Sequence, residues 1–181
     1  SYEKMDDFVA YAMTYLSESI ADSIEFNIWQ GNTSTSGQFN ALSASGMTTS
    51  SASAAYDASN IIANLGTLAA DIPSSVYGKD DLYLYMNKKT YRFYISAISA
   101  LSAFPFNHMG EYTPEFEGIK IAVCPGVADN VMFAGQKSNA FFGTSLSSDL
   151  TEVKVLDMSE ITGSDVVRMV CRYTAGVQVG V

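Results

Sequence analysis

Two side chains of this sequence could form a nucleophile and its base, the thiol of Cys124 and the imidazole of His108. Any Cys–His or Ser–His–Asp arrangement would have to use His108, because the chain contains 1 histidine. His108 lies in a segment typical of a loop, and no GxSxG, P-loop, HExxH or Rossmann glycine pattern occurs. We therefore predict no catalytic residue and interpret His108 as a loop side chain.

Metal and cofactor sites are not indicated either. Cys124 and Cys171 lie far apart in the chain and neither belongs to a CxxC pair, so we expect reduced, buried thiols and no zinc site. Glu111, Glu115 and Glu117 could together bind a cation, although a solvated loop explains them more simply. We predict no metal ligand and no cofactor-binding residue.

Nucleic-acid binding is the third chemistry to weigh. Tyr83, Tyr85, Tyr91 and Tyr94 could stack on bases. However, the formal net charge is -9, and a surface that wraps nucleic acid needs clustered Lys and Arg. We interpret these tyrosines as part of the core between a strand and the helix that follows it.

The composition leaves two interpretations open. The chain has 181 residues with 48% hydrophobic and only 16% charged residues, enough for one substantial core or two small subdomains. The sparse charge indicates either surfaces covered by neighbouring subunits or an ordinary domain with a large core. No apolar stretch approaches the ~20 residues that span a bilayer, so no membrane contact is predicted.

The elements that position these residues begin with a long helix, predicted over residues 6–29. No Gly or Pro interrupts it. Its apolar side chains recur at spacings of three and four, at Met5, Phe8, Val9, Ala12, Leu16, Ile20, Ile24 and Ile28. Residues 31–55 are rich in Ser and Thr, which compete with regular backbone pairing, so we predict a loop ordered only in places.

Helices and strands are mixed in the rest of the chain. A helix is predicted at residues 57–72, a strand at Leu82–Met86, and a helix after Asn87, a good N-cap. The remaining predictions are strands at Ile119–Val123, 131–134, 153–158 and 166–173, and loops at 104–117 and 135–148. Because there is no strict βαβ alternation, the predicted fold class is α+β.

This order of elements resembles the tailed-phage major capsid protein, whose fold is shared with encapsulin shells. Residues 5–32 resemble the long spine helix of that family, which ends in a short turn bearing Asn and Gly. Residues 82–89 resemble its strand–Asn–helix step, and residues 118–123 (GIKIAV) resemble its G-hydrophobic-P-V-V strand, with Lys120 in place of Pro. Residues 139–144 (NAFFGT) resemble the turn that leads back to the peripheral domain.

The resemblance implies a phage major-capsid fold in four segments. Residues 1–54 would be the spine helix and a polar loop of the peripheral domain, and residues 55–148 the axial domain. Residues 149–174 would contain the long peripheral strands, and residues 175–181 a strand that returns to the axial sheet.

The function implied by the resemblance is structural. Copies of the chain would assemble into pentamers and hexamers, with scaffolding protein and portal as further partners, and would enclose DNA without reading its sequence. The protein would assemble in the bacterial cytoplasm and reside in the virion, with the loops 104–117 and 135–148 between subunits. The N-terminal arm and E-loop of the family are not in this sequence, so we expect a monomer or weak small oligomer from the chain alone.

Three alternatives remain open at this stage. The nearest is an encapsulin-like nanocompartment shell. A hydrolase using Cys124 and His108 is the enzymatic alternative. A Ser/Thr-rich surface adhesin would fit residues 31–55, although it would need an export signal and usually a more uniformly β pattern.

Overall fold

The computed structural model describes residues 2–35, 38–42, 46–51, 54–101, 114–144, 153–158, 163, 167–171 and 174–180. Helices and strands alternate irregularly within these residues, so the predicted α+β class is confirmed.

The first element is one continuous helix, α1 (Tyr2–Gln30). Its 29 residues extend over about 44 Å at ~1.5 Å per residue. The predicted long helix is therefore present, and it continues beyond the predicted start and end. Neither α1 nor any other helix of the described chain combines the length and the apolar character needed to cross a membrane.

A five-stranded mixed sheet forms the centre of the fold. Numbered along the chain, its strands are β1 (Thr48–Ser51), β2 (Leu82–Met86), β3 (Glu115–Phe116), β4 (Ile119–Val123) and β5 (Val131–Gln136). They lie in the order β1-β5-β2-β4-β3. The central β2 and β4 are parallel, and the other pairs are antiparallel. Parallel pairing requires a crossover, and the chain between β2 and β4 supplies it with the helix α3 (Lys88–Ala100).

The largest core lies between this sheet and two helices, α2 (Ile61–Ala70) and α3. In β2 the side chains alternate between fully buried aliphatic residues and partly buried tyrosines, as the period of two predicts. The most deeply buried side chains of this core are Ile61, Leu65, Leu68, Leu84, Met86 and Met132.

Helix α2 is shorter than predicted, and a turn capped by Asp57 precedes it. The Asp57 carboxylate accepts hydrogen bonds from the Ser59 hydroxyl at 2.6 Å and from the Ser59 and Asn60 backbone N–H groups at 2.8 and 3.0 Å. These bonds, led by the one from the Ser59 side chain, hold the pKa of Asp57 below its usual value. The Ile61 N–H donates to the Asp57 carbonyl oxygen at 3.1 Å, and the Asn60 side-chain oxygen accepts from the Asp57 N–H at 3.0 Å, so Asp57 caps the turn that leads into α2.

Two antiparallel pairs complete the described strands. The pair β7 (Val153–Asp157) and β8 (Val167–Cys171) confirms the two facing strands predicted there. The other pair is β6 (Ala140–Thr144) and β9 (Ala175–Val179). The returning strand is thus present, but its predicted pairing is wrong, because β9 pairs with β6 and not with the five-stranded sheet.

The predicted loop at residues 135–148 is also wrong over its described part. Strand β5 continues through Gly135 to Gln136, a short 3-10 turn covers Lys137–Asn139, and β6 follows. Gly135 pairs with Tyr83 in the sheet, and the Met47 side chain packs over it so closely that a β-carbon there would lie 2.7 Å from the Met47 methyl carbon. Residues 145–148 lie outside the described residues.

Two other predicted loops contain short strands. β1 lies within the Ser/Thr-rich tract, where Thr48 to Ser51 pair with Ala134 to Val131. β3 occupies the end of the predicted loop 104–117, and residues 104–113 lie outside the described residues.

Candidate interaction surface

Cys124, the nucleophile of the hydrolase alternative, lies directly after β4 and is half-buried. Its backbone N–H donates to the Met86 carbonyl oxygen at 2.8 Å, which extends the parallel pairing by one residue. Burial, and secondarily the nearby Glu25 carboxylate, raises the pKa of the Cys124 thiol to about 11. The thiol is therefore protonated near neutral pH, where a nucleophilic cysteine needs to be a thiolate. His108 lies outside the described residues.

The acidic residues considered as cation ligands do not form a site in the described part of the chain. Glu115 and Glu117 are exposed, and Glu111 lies outside the described residues. Among the residues that are described, no group of three or more His, Cys, Asp or Glu side chains could hold a metal ion.

Tyr91 and Tyr94 belong to the core between the sheet and the helices, as the sequence interpretation held, whereas Tyr85 packs on the opposite face of the sheet, so the interpretation was wrong for that residue. Tyr94 is buried in α3 and its hydroxyl donates to the Glu115 carbonyl oxygen at 2.6 Å. The Tyr85 ring lies 5.1 Å from that of Trp29, and burial is the main cause that raises the pKa of Tyr85 to about 12. Tyr83 and Tyr91 are partly buried. None of the four is a freely exposed platform for bases.

The end of α1 is fixed to the sheet on the face opposite α2 and α3. Trp29 packs there between the rings of Tyr85 and Phe133. The Glu25 carboxylate accepts from the Gly126 N–H at 3.1 Å, and the Gln30 amide donates to the Gly126 carbonyl oxygen at 2.6 Å. Apolar packing and two polar contacts therefore set the direction in which α1 leaves the sheet.

One face of α1 is an exposed row of aromatic and acidic side chains, which we call the outer stripe: Tyr11, Tyr15, Glu18, Asp22 and Phe26. Spacings of three and four place them on one side of the helix. Tyr11, Tyr15 and Phe26 are 71%, 64% and 42% exposed. The predicted apolar stripe lies on the other side, with Ala12, Leu16, Ile20 and Ile24 half-buried.

The start of α3 carries exposed cations, which we call the basic turn: Lys88, Lys89 and Arg92. Asn87 caps this helix as predicted, with its side-chain oxygen accepting from the Thr90 N–H at 2.8 Å. The Asn87 amide also donates to Asp129 at 2.7 Å, and Lys89 forms an ion pair with the second oxygen of that carboxylate at 2.7 Å. Within the described residues, Lys88 and Arg92 remain available at the surface.

A second exposed apolar surface lies on β6. Phe141 and Phe142 are 59% and 47% exposed and, as consecutive strand residues, point to opposite faces. Asn139, the residue before β6, forms two hydrogen bonds with Gly180, which follows β9. Its backbone carbonyl oxygen accepts from the Gly180 N–H at 2.9 Å, and its side-chain amide donates to the Gly180 carbonyl oxygen at 3.0 Å.

A shallow cleft lies beside Asn139 and Ala140, where β6 begins. Its volume is about 140 Å³, and its walls include Met47, Ile72, Val76, Leu82 and Val179. Pockets for small-molecule ligands usually have several hundred Å³ and convergent polar groups. This cleft is apolar and is large enough only for a side chain or a few small groups.

The chain matches no protein-family model, no curated protein and no solved structure.

The outer stripe was not predicted from the sequence, which was interpreted only for the apolar stripe of α1. A signal was present, because Tyr11, Tyr15 and Phe26 repeat at helical spacing outside the apolar stripe, and no Lys or Arg follows Lys4 within the helix.

Proposed function

We propose that this chain is a structural shell protein of the tailed-phage major capsid type, with no catalytic role. The observation that carries the proposal is α1, a helix of 29 residues that is joined to a mixed sheet through its last turns. A helix of this length exposes far more side-chain surface than its own sheet can cover. In a shell, the surface left over would be covered by adjacent copies.

The succession of elements after α1 also supports this proposal. Strand β2 leads through the capping residue Asn87 into α3, as in the strand–Asn–helix step of the capsid family. Strand β4 then lies beside β2 in the same sheet and would be the family's hydrophobic strand. The antiparallel pair β7–β8 is separate from that sheet and would be the long peripheral strands.

Surface chemistry fits assembly better than catalysis. Large aromatic side chains are exposed in a row on α1, at Tyr11, Tyr15 and Phe26. Exposed apolar groups of this kind mark contact sites when they cluster. A net charge of -9 suits the wall of a compartment that encloses DNA without adsorbing it.

On this proposal the protein acts through repeated contacts between identical subunits. The same surfaces meet in rings of five and of six, through heterologous contacts that close. Assembly would take place in the bacterial cytoplasm, with scaffolding protein and portal as partners, and the product would be the virion capsid.

The test is to express the open reading frame that encodes these residues in bacteria and to fractionate the lysate by density gradient. We expect fast-sedimenting closed particles, visible by negative-stain electron microscopy, in which this polypeptide is the main component. Nuclease-protected DNA in particles made with the neighbouring phage genes would indicate a capsid, whereas particles that hold a protein cargo would indicate an encapsulin-like shell. A product that never enters rings or particles would overturn the proposal.

A further inference from the structure

The charges of α1 are of one sign over almost its whole length. From Met5 to Gln30 the helix contains no Lys or Arg, while Glu18 and Asp22 lie on the outer stripe between exposed aromatic rings. Asp6 and Asp7 lie near the start of the helix, before the outer stripe. Between Tyr11 and Gln30 the remaining carboxylate, Glu25, already accepts a hydrogen bond from Gly126. Within the described chain, the outer stripe therefore presents two uncompensated carboxylates next to apolar surface.

The complementary charge occurs on the same chain. The basic turn has three exposed cations within five residues, and Asp129 compensates one of them, Lys89, through its ion pair. Lys88 and Arg92 are not compensated by any described residue. The outer stripe and the basic turn therefore carry equal numbers of uncompensated charges of opposite sign. Two like-charged α1 helices would repel each other, which argues against pairing of one outer stripe with another.

We propose that the outer stripe of one copy binds the basic turn of a second copy. This inference rests on the proposed function in assembly and specifies one of its contacts. Glu18 and Asp22 would pair with Lys88 and Arg92 of the other molecule. The rings of Tyr11 and Tyr15 would cover the aliphatic stems of these cations and interact with them through their π faces.

The proposed contact has a direction, because it joins two different patches. Each copy has one outer stripe and one basic turn. A copy that joins the end of an assembly uses one of its two patches, so the assembly still has one outer stripe and one basic turn free. Contacts of this heterologous type form rings when the rotation between copies closes, and open chains when it does not. Because the pairs are exposed, the contact weakens as salt rises.

The experiment is sedimentation velocity of the 181-residue chain over a concentration series at low and at high salt. We expect reversible association at low salt that decreases at high salt. Glu18→Lys/Asp22→Lys and Lys88→Glu/Arg92→Glu should each weaken self-association at least about tenfold, because like charges then face each other. An equimolar mixture of these two variants should associate again, and so should one chain that carries all four substitutions.

The control for net charge is Asp71→Lys/Asp80→Lys, which raises the net charge by the same amount as Glu18→Lys/Asp22→Lys, at exposed positions outside both patches. It should associate as the unmodified chain does. Lys88→Glu also places a carboxylate at a helix N-terminus, where it is favourable, and renewed association in the mixture would show that both variants are folded.

The outcomes are distinct from those for the proposed function. A chain that is monomeric at every soluble concentration, charge reversals without effect, or failure of the mixture to associate would overturn the contact. Particles that still assemble from the reversed variants would leave the shell function standing and overturn this contact alone. Salt-sensitive association of the chain, together with an open reading frame that forms no particles, would support the contact and overturn the shell function.

Discussion

Trp29, in the last turn of α1, stacks on Phe133 in β5, with ring centroids 5.5 Å apart and ring planes inclined by 23°. Both side chains are buried, although they are far apart in the sequence. Together with Tyr85 they form the apolar part of the joint between the long helix and the sheet. The orientation of α1, and hence of its outer stripe, depends on this contact.

Removing the Trp29 ring should therefore destabilise the protein strongly. We expect Trp29→Ala to lower the free energy of unfolding by about 3–5 kcal/mol, the usual cost of deleting a large buried aromatic side chain. Urea unfolding followed by circular dichroism is the measurement. Tyr15→Ala, on the exposed face of the same helix, is the control and should change stability by less than about 0.5 kcal/mol. Equal effects would show that Trp29 does not anchor α1.

Gly126 tests the polar half of the joint. A β-carbon at this position would lie 2.7 Å from the Glu25 carbonyl oxygen, so α1 would have to move away from the turn after β4. We expect Gly126→Ala to cost about 1–3 kcal/mol, as overpacking usually does. Gly66→Ala is the matched control, because Gly66 lies in α2 with open space around it. It should raise stability by roughly 0.5–1 kcal/mol.

Local signals were sufficient to predict much of the fold. The uninterrupted spacing of apolar residues predicted α1, and the alternation of Leu82, Leu84 and Met86 with tyrosines predicted β2 with its observed bounds. The N-cap role of Asn87 followed from the preference of that residue type, and the structure shows the expected bond to Thr90. Each of these features is decided by neighbours in the sequence.

Features decided by distant residues were not predicted. β1 has the composition of a loop and becomes a strand only because β5 is beside it. β9 was expected in the large sheet, but it pairs with β6. β6 was not predicted because the segment that begins at Gly135 has the composition of turns. The outer stripe had a local signal in the spacing of Tyr11, Tyr15 and Phe26, but its exposure depends on which distant residues pack against α1.

The thiol of Cys124 should react slowly in the folded protein. Its pKa is raised to about 11, mainly by burial, so only a small fraction of the thiol is ionised at about pH 8. A less acidic thiol gives a more nucleophilic thiolate, but this gain only partly offsets the smaller thiolate fraction. In a Cys171→Ala background, which leaves Cys124 as the single thiol, alkylation by iodoacetamide at about pH 8 should be at least about tenfold slower than in urea. A rate above that of the unfolded chain would revive the Cys124–His108 hydrolase alternative.

The Asp129 carboxylate gives a prediction on pH. The hydrogen bond from Lys89, followed by that from Asn87, lowers the pKa of Asp129 in the folded state. A carboxyl group with a lowered folded-state pKa stabilises the fold above its unfolded value near ~4, and this contribution disappears as the pH falls through the folded-state pKa. Asp129→Asn should thus be less stable than the unmodified protein at about pH 7, and the difference should shrink towards about pH 2.5.

The same pH experiment in a Lys89→Met background separates the ion pair from the helix cap. Lys89 is the larger cause of the lowered pKa, so the effect of Asp129→Asn on stability should depend less on pH once the lysine is absent. The cap itself, Asn87 to Thr90, is retained in both backgrounds. Thermal unfolding across the pH series measures both effects. If the effect of Asp129→Asn were the same at all pH values, the Lys89–Asp129 pair would not exist in solution, and Lys89 would join Lys88 and Arg92 as a free cation of the basic turn.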